Sequence, residues 1–534
     1  MNRKTLVLPA VVGLLAPVLA ACGGSDSGSS GGDAIVVGTT DQFTATKDAP
    51  APLDPAYAYD VGTWNILRQT VQTLMIQPRG EGEPVPEAAE SCAFTDSGNE
   101  RYACKLREGL KFANGDPITA QDVKYSIDRV RAINAEGGPV GLLSTIDTVE
   151  AKGDRDVIFH LKTADATFPY KLSTPVAGIV NPDDYEKKKL RDGFDVDGSG
   201  PYTLRSEVKD DSLVKATFTK NPNYKGTLKV NNSKAEMVSF PDAGAMGKAL
   251  DKGDIDVMTR SMSPQQIQKL SDDPGNNVDL VEMAGLEIRY LAFNTDAPSV
   301  KSKAVRQAMA QVINRGELVS KVYGTQAEPL FSLVPASITG HSNSFFNKYG
   351  DPSTAKAKSL LAAANITTPV KMTLHYTTDH YGPATKKEFE ILRKQLNASG
   401  LFDVSIQGAL WKDYIPAERK GEYDVWGMGW FPDFPDADNY LAPFLDKDNF
   451  LKLPYHNNKI INTLIPASRR EADRIAAAPD LTAIQDTVAD DVPILPLWQG
   501  KQYVAARDDV TGTAYALNSS STLQLWELGR GVSG

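Results

Sequence analysis

Residues 104–130 read CKLREGLKFANGDPITAQDVKYSIDRV, and this stretch predicts a β-hairpin that leads into an amphipathic helix. Apolar and polar residues alternate at its start as in a half-buried strand, and Asn114-Gly115 suits a tight turn with positive φ. Thr119 is a favourable N-cap, and Asp122 occupies the third helical position, where its carboxylate faces the positive end of the helix dipole. Three apolar side chains then share one face of the predicted helix: Val123, Ile127 and Val130.

The same stretch also resembles the signature of the family 5 extracytoplasmic solute-binding proteins, the peptide and nickel binders of ABC importers. Five further blocks resemble that family and follow one another in the order it uses, across nearly the whole mature chain. They are Leu53-Asp54-Pro55-Ala56, GSGPY at 198–202, RYLAFNT at 289–295, GWFPDFPDADNY at 429–440 and VPILPLW at 492–498. One block alone could arise by chance, but six in the same order leave little room for chance.

The resemblance implies an α/β fold, namely a two-lobed clamp of the type II periplasmic-binding-protein kind with an extra subdomain inserted in the first lobe. A β-rich run at Ala34–Thr39, which would open the fold, supports this expectation independently. The expected limits are 1–21 for a signal peptide, 22–32 for an anchor and tether, 33–75, 197–291 and 499–534 for lobe I, 76–196 for the inserted subdomain, and 292–498 for lobe II.

A helix beyond residue 300 is predicted from the spacing of apolar residues alone. Its apolar face comprises Val305, Ala308, Met309, Val312 and Ile313. The same spacing places four polar side chains on the outer face, which we expect to meet solvent. They are Arg306, Gln307, Gln311 and Arg315.

The amino terminus predicts export. Arg3 and Lys4 precede an apolar run at residues 5–20, which is too short to span a bilayer of roughly 30 Å. Small residues then lead to Cys22 and to a Gly/Ser-rich tether at residues 23–32. This pattern resembles a bacterial lipoprotein signal, which implies a mature chain that begins at Cys22, carries diacylglycerol there and stays at the outer face of the cytoplasmic membrane. An ordinary secretory signal with a chance cysteine is the alternative.

With Cys22 assigned to lipid by that resemblance, Cys92 and Cys104 are expected to form a disulfide. An oxidising compartment permits the bond, and closing so short a loop contributes about 3 kcal/mol in the chain-entropy model. A metal site is the alternative, although it would need further ligands and no histidine lies near either cysteine in the sequence.

Charge and length exclude some classes of function. The chain has 57 Lys and Arg residues against 67 Asp and Glu residues, so its net charge of −10 disfavours nucleic acid as a partner. Its 534 residues exceed what one hydrophobic core supports, which predicts several lobes. No stretch after the amino-terminal signal approaches the length and apolarity of a membrane span.

A clamp that captures peptides has to receive an α-ammonium group, since burying an unpaired charge costs several kcal/mol. In the peptide-binding members of the family an aspartate shortly after a Gly-Trp pair receives it, and the resemblance places this role at Asp433. Trp430 and Phe431 would then supply flat apolar walls that exclude water. The alternatives are a solvated loop carboxylate for Asp433 and a core position for Trp430.

Four further residues are candidates for the ligand-binding site. Tyr57 and Trp64 follow the first block, where they either face the ligand or pack inside the lobe. Arg289 and His380 are candidates for binding the ligand carboxylate because of their places in the large lobe, with a structural or surface role as the alternative.

The predicted function is the capture of short peptides outside the cell and their delivery to membrane permeases. Separate ATPase subunits would drive import, because the chain has no nucleotide-binding loop. We expect a monomer without cofactor, metal or enzymatic activity, since hydrolase motifs are absent from the sequence and its histidines lack metal-ligand spacing. Oligosaccharides, which would stack on Trp411, Trp426 and Trp430, and nickel chelates are the alternative ligands. An extracellular hydrolase and a signalling lipoprotein are the remaining alternative functions, because either would carry the same amino-terminal tether.

Overall fold

The computed structural model describes residues 34–531 apart from 48, 80–81, 274–276, 448 and 450. The predicted signal peptide, Cys22 and the tether lie outside the described residues. Three main sheets with helices packed around them make up the described part of the chain. No helix in that part is long and apolar enough to cross a membrane.

Seven strands form the first sheet, which draws on the beginning, the middle and the end of the chain. In spatial order they are Val278–Met283, Gln502–Arg507, Val257–Met258, Ile35–Thr39, Lys234–Ser239, Ser212–Lys220 and Tyr202–Lys209. Ile35–Thr39 lies at the centre and runs parallel to both of its neighbours. The strand predicted at the opening of the fold is therefore confirmed, and it organises this sheet.

Six strands form the second sheet. In spatial order they are Ala327–Pro329, Ile494–Gly500, Ile288–Phe293, Val425–Trp430, Val370–Thr377 and Phe402–Ala409. Ile288–Phe293 is buried along its whole length between two antiparallel neighbours. The expected boundary between lobes at residue 291 falls inside this strand, and the exact domain limits stay a prediction.

A four-stranded antiparallel sheet, here called the inserted sheet, lies in the sequence between strands Ile35–Thr39 and Tyr202–Lys209 of the first sheet. Its strands are Ala89–Phe94, Arg101–Leu106, Asp156–Leu161 and Ile146–Lys152 in spatial order. Cys92 and Cys104 face each other across its first two strands and form a disulfide. The predicted pairing of these cysteines is confirmed.

Helix Ala120–Ile133 packs against the inserted sheet and begins as predicted. The Thr119 amide donates to Asp122 Oδ2 over 2.7 Å, which satisfies one of the backbone donors at the helix start. The predicted apolar face is buried: Val123, Ile127 and Val130. A single antiparallel bridge between Lys111 and Pro117 closes the preceding turn in place of a longer hairpin, because the chain turns into the helix at Thr119, whose amide donates to Asp122.

Other helices cover the sheets. They are Val61–Thr70, Phe168–Lys171, Ala243–Lys252, Pro264–Asp272, Lys303–Val312, Arg315–Val322, Ser344–Tyr349, Thr354–Ala363, Thr385–Ala398, Trp411–Arg419, Asp438–Leu445, Ile465–Arg470 and Ala478–Asp491. Their apolar faces and the strands build two large cores, one under each of the first two sheets, and the inserted sheet shares the core of the first.

Three polar side chains that the sequence placed in solvent are buried instead. Arg306, Gln311 and Arg315 are each at most 5% exposed, so the prediction of an outer polar face is wrong for them. Backbone carbonyls from distant segments accept their hydrogen bonds, as buried donors require. The acceptors are, respectively, the oxygens of Val492 (2.9 Å), Tyr349 (3.1 Å) and Pro496 (2.8 Å).

The first sequence block is fixed by an ion pair inside the protein. Asp54 and Arg129 are both 1% exposed, and two parallel hydrogen bonds of 2.6 and 2.8 Å join the carboxylate to the guanidinium. The Asp54 carboxylate also accepts from the amides of Ala56 and Arg191, each over 2.8 Å. The loop that leads to Tyr57 is thereby held against the helix of the inserted subdomain.

Candidate ligand-binding cleft

A cleft of about 1500 Å³ opens where strands of the first and second sheets end. In the first sheet the loops after Ile35–Thr39 and Val257–Met258 line it, and in the second sheet the loops after Val370–Thr377 and Val425–Trp430 do so. Within each sheet these two strands are parallel. Ligands of open α/β sheets bind at the carboxyl ends of the strands, so this cleft is the candidate site.

Asp433 lies in the loop after Val425–Trp430 and faces the cleft. Asn439 orients it from both sides, since the Asp433 amide donates to Asn439 Oδ1 and Asn439 Nδ2 donates to Asp433 Oδ2, each over 2.8 Å. The Tyr59 hydroxyl donates to the same Oδ2 over 3.1 Å. No described residue donates to Oδ1, so one oxygen of a well-oriented carboxylate is left for another donor.

The pKa of the Asp433 carboxyl is consistent with a carboxylate that awaits a positively charged partner. Burial raises the pKa of its carboxyl to about 6, and the hydrogen bonds from Asn439 and Tyr59 together with the charge of Arg68 offset part of the rise. At pH 7 the group is therefore mostly ionised, but its charge is poorly solvated. A cation bound to Oδ1 would relieve that cost.

The two aromatic residues before Asp433 have different roles. Trp430 is 8% exposed, packs edge-on against Phe444 at 5.2 Å between ring centroids and donates from Nε1 to Asn439 Oδ1 over 3.1 Å. It borders the cleft mainly from within the core. Phe431 is partly exposed in the cleft, and the Arg260 guanidinium lies 4.7 Å from its ring centroid.

Tyr57 and Trp64 both line the cleft, but to different degrees, and their contact with a ligand stays a prediction. Tyr57 is partly exposed, whereas Trp64 is 5% exposed and donates from Nε1 to the Ala58 carbonyl over 2.8 Å. Tyr59 stacks on Trp64 in a tilted arrangement with ring centroids 5.5 Å apart. Trp64 therefore serves first to hold Tyr59, which in turn reaches Asp433.

Arg289 lies on the central strand of the second sheet and forms an ion pair with Glu287. It is 8% exposed, with its guanidinium carbon 3.8 Å from the Tyr381 ring centroid and 5.8 Å from that of Phe431. Both rings line the cleft, so they cover Arg289 from it. Arg289 therefore packs behind the aromatic wall of the cleft. Its contact with a ligand carboxylate stays a prediction.

His380 lines the cleft and stacks on Trp411, with ring centroids 3.7 Å apart and planes at 6°. Burial lowers the pKa of its imidazole to about 3, and the nearby charges of Arg260 and Arg289 add to the effect. At neutral pH the ring is uncharged. It can offer a flat surface or a neutral hydrogen bond to a ligand, but no cation to pair with a carboxylate.

The comparisons with known proteins identify the fold and the family. A sequence profile of the bacterial extracellular solute-binding proteins, family 5, middle region, matches residues 83–452. The chain belongs to this family. The resemblance drawn from the six sequence blocks is thereby confirmed.

Relatives cover this family 5 chain almost from end to end. The oligopeptide-binding protein OppA of Bacillus subtilis is 26% identical over 511 residues, which are 90% of this chain and 91% of OppA. A dipeptide-binding protein of Pseudoalteromonas in complex with Met-Leu superposes with a TM-score of 0.80 at 21% identity, over 93% of this chain and 100% of that one. AgaA of A. tumefaciens R10 in complex with agropinic acid gives 0.78 at 21% identity, over 94% and 99%. The two-lobed periplasmic-binding-protein fold is thus confirmed, in a family of binding proteins.

The sequence reasoning missed Arg260, which enters the cleft from the first sheet and contacts Phe431 of the second. Its guanidinium pairs with Asp41 over 2.9 Å. Arg260 and Ser261 have φ of 55° and 48°, a left-handed conformation that side chains with a Cβ rarely adopt. Nothing in the residue types predicts this turn, so no local signal marks Arg260 as a cleft residue.

Proposed function

We propose that the protein captures short peptides with a free amino terminus and that Asp433 pairs with their α-ammonium group. The supporting observation is the Asp433 carboxylate itself, which Asn439 and Tyr59 orient through Oδ2 while no described residue donates to Oδ1. An ammonium brings both a donor and a compensating charge, and such charge-assisted hydrogen bonds are among the stronger ones. The names of the matched relatives, which include oligopeptide-binding and dipeptide-binding proteins, support the same ligand class.

The size of the cleft also favours a peptide. Pockets for small ligands usually measure roughly 300–1,000 Å³, whereas this cleft measures about 1500 Å³. Its lining combines aromatic and aliphatic residues with neutral polar side chains and with charged residues of both signs, so it can receive the main chain and varied side chains of a peptide.

Oligosaccharides remain the second ligand class predicted from sequence, and the placement of the tryptophans weighs against them. Trp426 is 3% exposed within a strand, and Trp430 is 8% exposed. Of the three tryptophans proposed for stacking, only Trp411 presents a partly exposed ring to the cleft, and His380 covers one face of it. AgaA, which has the same fold, binds agropinic acid, so the fold alone does not decide the ligand class.

Delivery of the captured peptide to an ABC permease with its ATPase subunits completes the proposal, with the mature protein anchored through lipid on Cys22 at the outer face of the cytoplasmic membrane. Support comes from the family and from the amino-terminal sequence pattern. We propose a monomeric binding protein without catalytic activity, because each lobe contributes to one cleft and no second chain is needed to complete it.

Calorimetry with trialanine and N-acetyl-trialanine tests the proposed function. Free trialanine should bind, and acetylation should weaken binding about 30-fold or more, because it removes a charge-assisted hydrogen bond worth about 2 kcal/mol or more. Maltotriose and cellotriose serve as the comparison ligands. Equal affinity for the two peptides contradicts the role of Asp433, and binding of a trisaccharide but of neither peptide contradicts the ligand class.

The affinity for free trialanine should depend on pH through the carboxyl group and the ligand amine. Asp433, with a pKa of about 6, becomes protonated as the pH falls, so affinity should drop below pH 6, toward tenfold per unit. Above about pH 8 the peptide amine loses its proton, and affinity should drop again. Calorimetry from pH 4.5 to 9 checks for a maximum between about 6 and 8; a profile without the acidic limb would rule out Asp433 as the partner.

A further inference from the structure

Glu418 is a second carboxylate in the cleft, at a point away from the Gly-Trp block. It lies in the last turn of helix Trp411–Arg419 and is 7% exposed. It borders the cleft next to Ile415, Arg419 and Leu451. Its Oε1 is enclosed, and no described residue donates a hydrogen bond to it.

Other buried glutamates of the chain differ from Glu418 in this respect. Glu87 is 2% exposed and accepts from the Tyr224 hydroxyl over 2.6 Å and from the Thr227 amide over 2.8 Å. Glu388 is 3% exposed and accepts from the Tyr323 hydroxyl over 2.5 Å. These two structural glutamates therefore have donors, as buried carboxylates generally do.

The neighbours of Glu418 do not provide a donor. The Tyr414 hydroxyl, one turn away on the same helix, donates to the Gly427 carbonyl over 2.9 Å. Lys452 approaches Glu136 at 3.8 Å instead, and Arg419 is exposed at the end of the helix. Burial accordingly raises the pKa of the Glu418 carboxyl to about 7, with the charges of Arg419 and Lys452 offsetting part of the rise.

The position of Glu418 on its helix adds to the free-energy cost of keeping the carboxylate ionised. A carboxylate in the last turn faces the negative end of the helix dipole, which favours cations there. An enclosed carboxylate that accepts no hydrogen bond at this point lowers the stability of the unliganded protein. A ligand cation that reaches the carboxylate group from the cleft would offset both its charge and the unfavourable helix dipole, whereas a neutral donor would offset neither.

We propose that Glu418 determines ligand specificity by receiving a positively charged side chain, that of lysine or arginine, from the bound peptide. The inference rests on the proposed function and extends it, because Asp433 binds the main-chain ammonium that every peptide shares and Glu418 selects among peptides. Both carboxylates line the same cleft, so one ligand can engage both.

The test compares alanine tripeptides that carry lysine, norleucine or glutamine at each position in turn, measured by calorimetry at pH 8 on the wild-type protein and on Glu418→Gln. At one position at least, lysine should bind about tenfold or more tightly than norleucine in the wild type. Glutamine, a neutral donor, should resemble norleucine. In Glu418→Gln the lysine preference should disappear, while the affinity for trialanine should stay within about twofold.

Glu422→Gln is the matched control, because it removes the same charge from an exposed side chain outside the cleft. It should retain the lysine preference.

The melting temperature of unliganded Glu418→Gln should be equal to or above that of the wild type, since a carboxyl with a raised pKa destabilises the fold as the pH rises through that value. A lower melting temperature with loss of all binding would mean a structural role and overturn the inference. Equal binding of lysine and norleucine peptides by the wild type overturns it too, while failure of every peptide, trialanine included, overturns the proposed function itself.

Discussion

Asp433→Asn should weaken the binding of free trialanine by about 100-fold or more, because the α-ammonium would then be buried without a carboxylate partner. Asparagine keeps the size of the side chain and its contacts with Asn439, so the change isolates the charge. Calorimetry at pH 7 measures the effect. N-acetyl-trialanine should bind the variant and the wild type almost equally, because it carries no charge at that end.

Two further measurements separate a ligand role from a structural one. The unliganded variant should be at least as stable as the wild type at pH 7, since the raised pKa of Asp433 means that its ionised form is costly in the fold. Glu136→Gln removes a charge from an exposed side chain that also lines the cleft, and should change the affinity less than about twofold. An Asp433→Asn protein that binds trialanine as the wild type does would refute the assignment.

Asp54→Asn should lower the free energy of unfolding by about 3–5 kcal/mol, because it leaves the buried guanidinium of Arg129 without its counter-charge. The carboxylate accepts four hydrogen bonds, two from Arg129 and one each from the amides of Ala56 and Arg191. An amide has only one acceptor oxygen, so its NH₂ group would face a donor. Urea unfolding followed by fluorescence and by far-UV circular dichroism measures the loss.

The control for Asp54 lies on the same helix as Arg129. Asp128 pairs with Lys124 over 2.7 Å at the surface, and Asp128→Asn should cost only about 0.3–0.5 kcal/mol. The contrast between the two variants depends on burial, since the distances are similar. A loss below about 1 kcal/mol for Asp54→Asn would show that the pair contributes no more than a surface ion pair.

Elements with local signals were predictable from sequence. The helix that begins after Thr119 has its cap, its acidic first turn and its apolar face within fifteen residues, and each appears as predicted. The cysteine pair followed from the assignment of Cys22 to lipid, and Asp433 was proposed because the motif around it resembles a known family. For Asp433 the structure adds the partner, Tyr59, from a segment 374 residues away.

Features that depend on distant segments could not be predicted. Arg306 and Arg315 have the spacing of exposed residues, and carbonyls contributed by the distant chain near residues 491–496 accept hydrogen bonds from both guanidinium groups in the core. Arg260 reaches the cleft through a left-handed turn that its residue type disfavours. Glu418 looks like any glutamate at the end of a helix, because the missing donor is visible only when every neighbour is known.

The order of strands in the first sheet sets a rule for the assembly of the protein. Gln502–Arg507 lies between Val257–Met258 and Val278–Met283 and pairs with both, so these two strands have no ladder between them until it arrives. The sheet therefore cannot close until about five hundred residues have been synthesised and released. Contacts of such long sequence separation form late in folding. Loss of this strand would leave Val278–Met283 without its partner and Val257–Met258 paired on one side only, so the first sheet is complete only when nearly the whole chain is present.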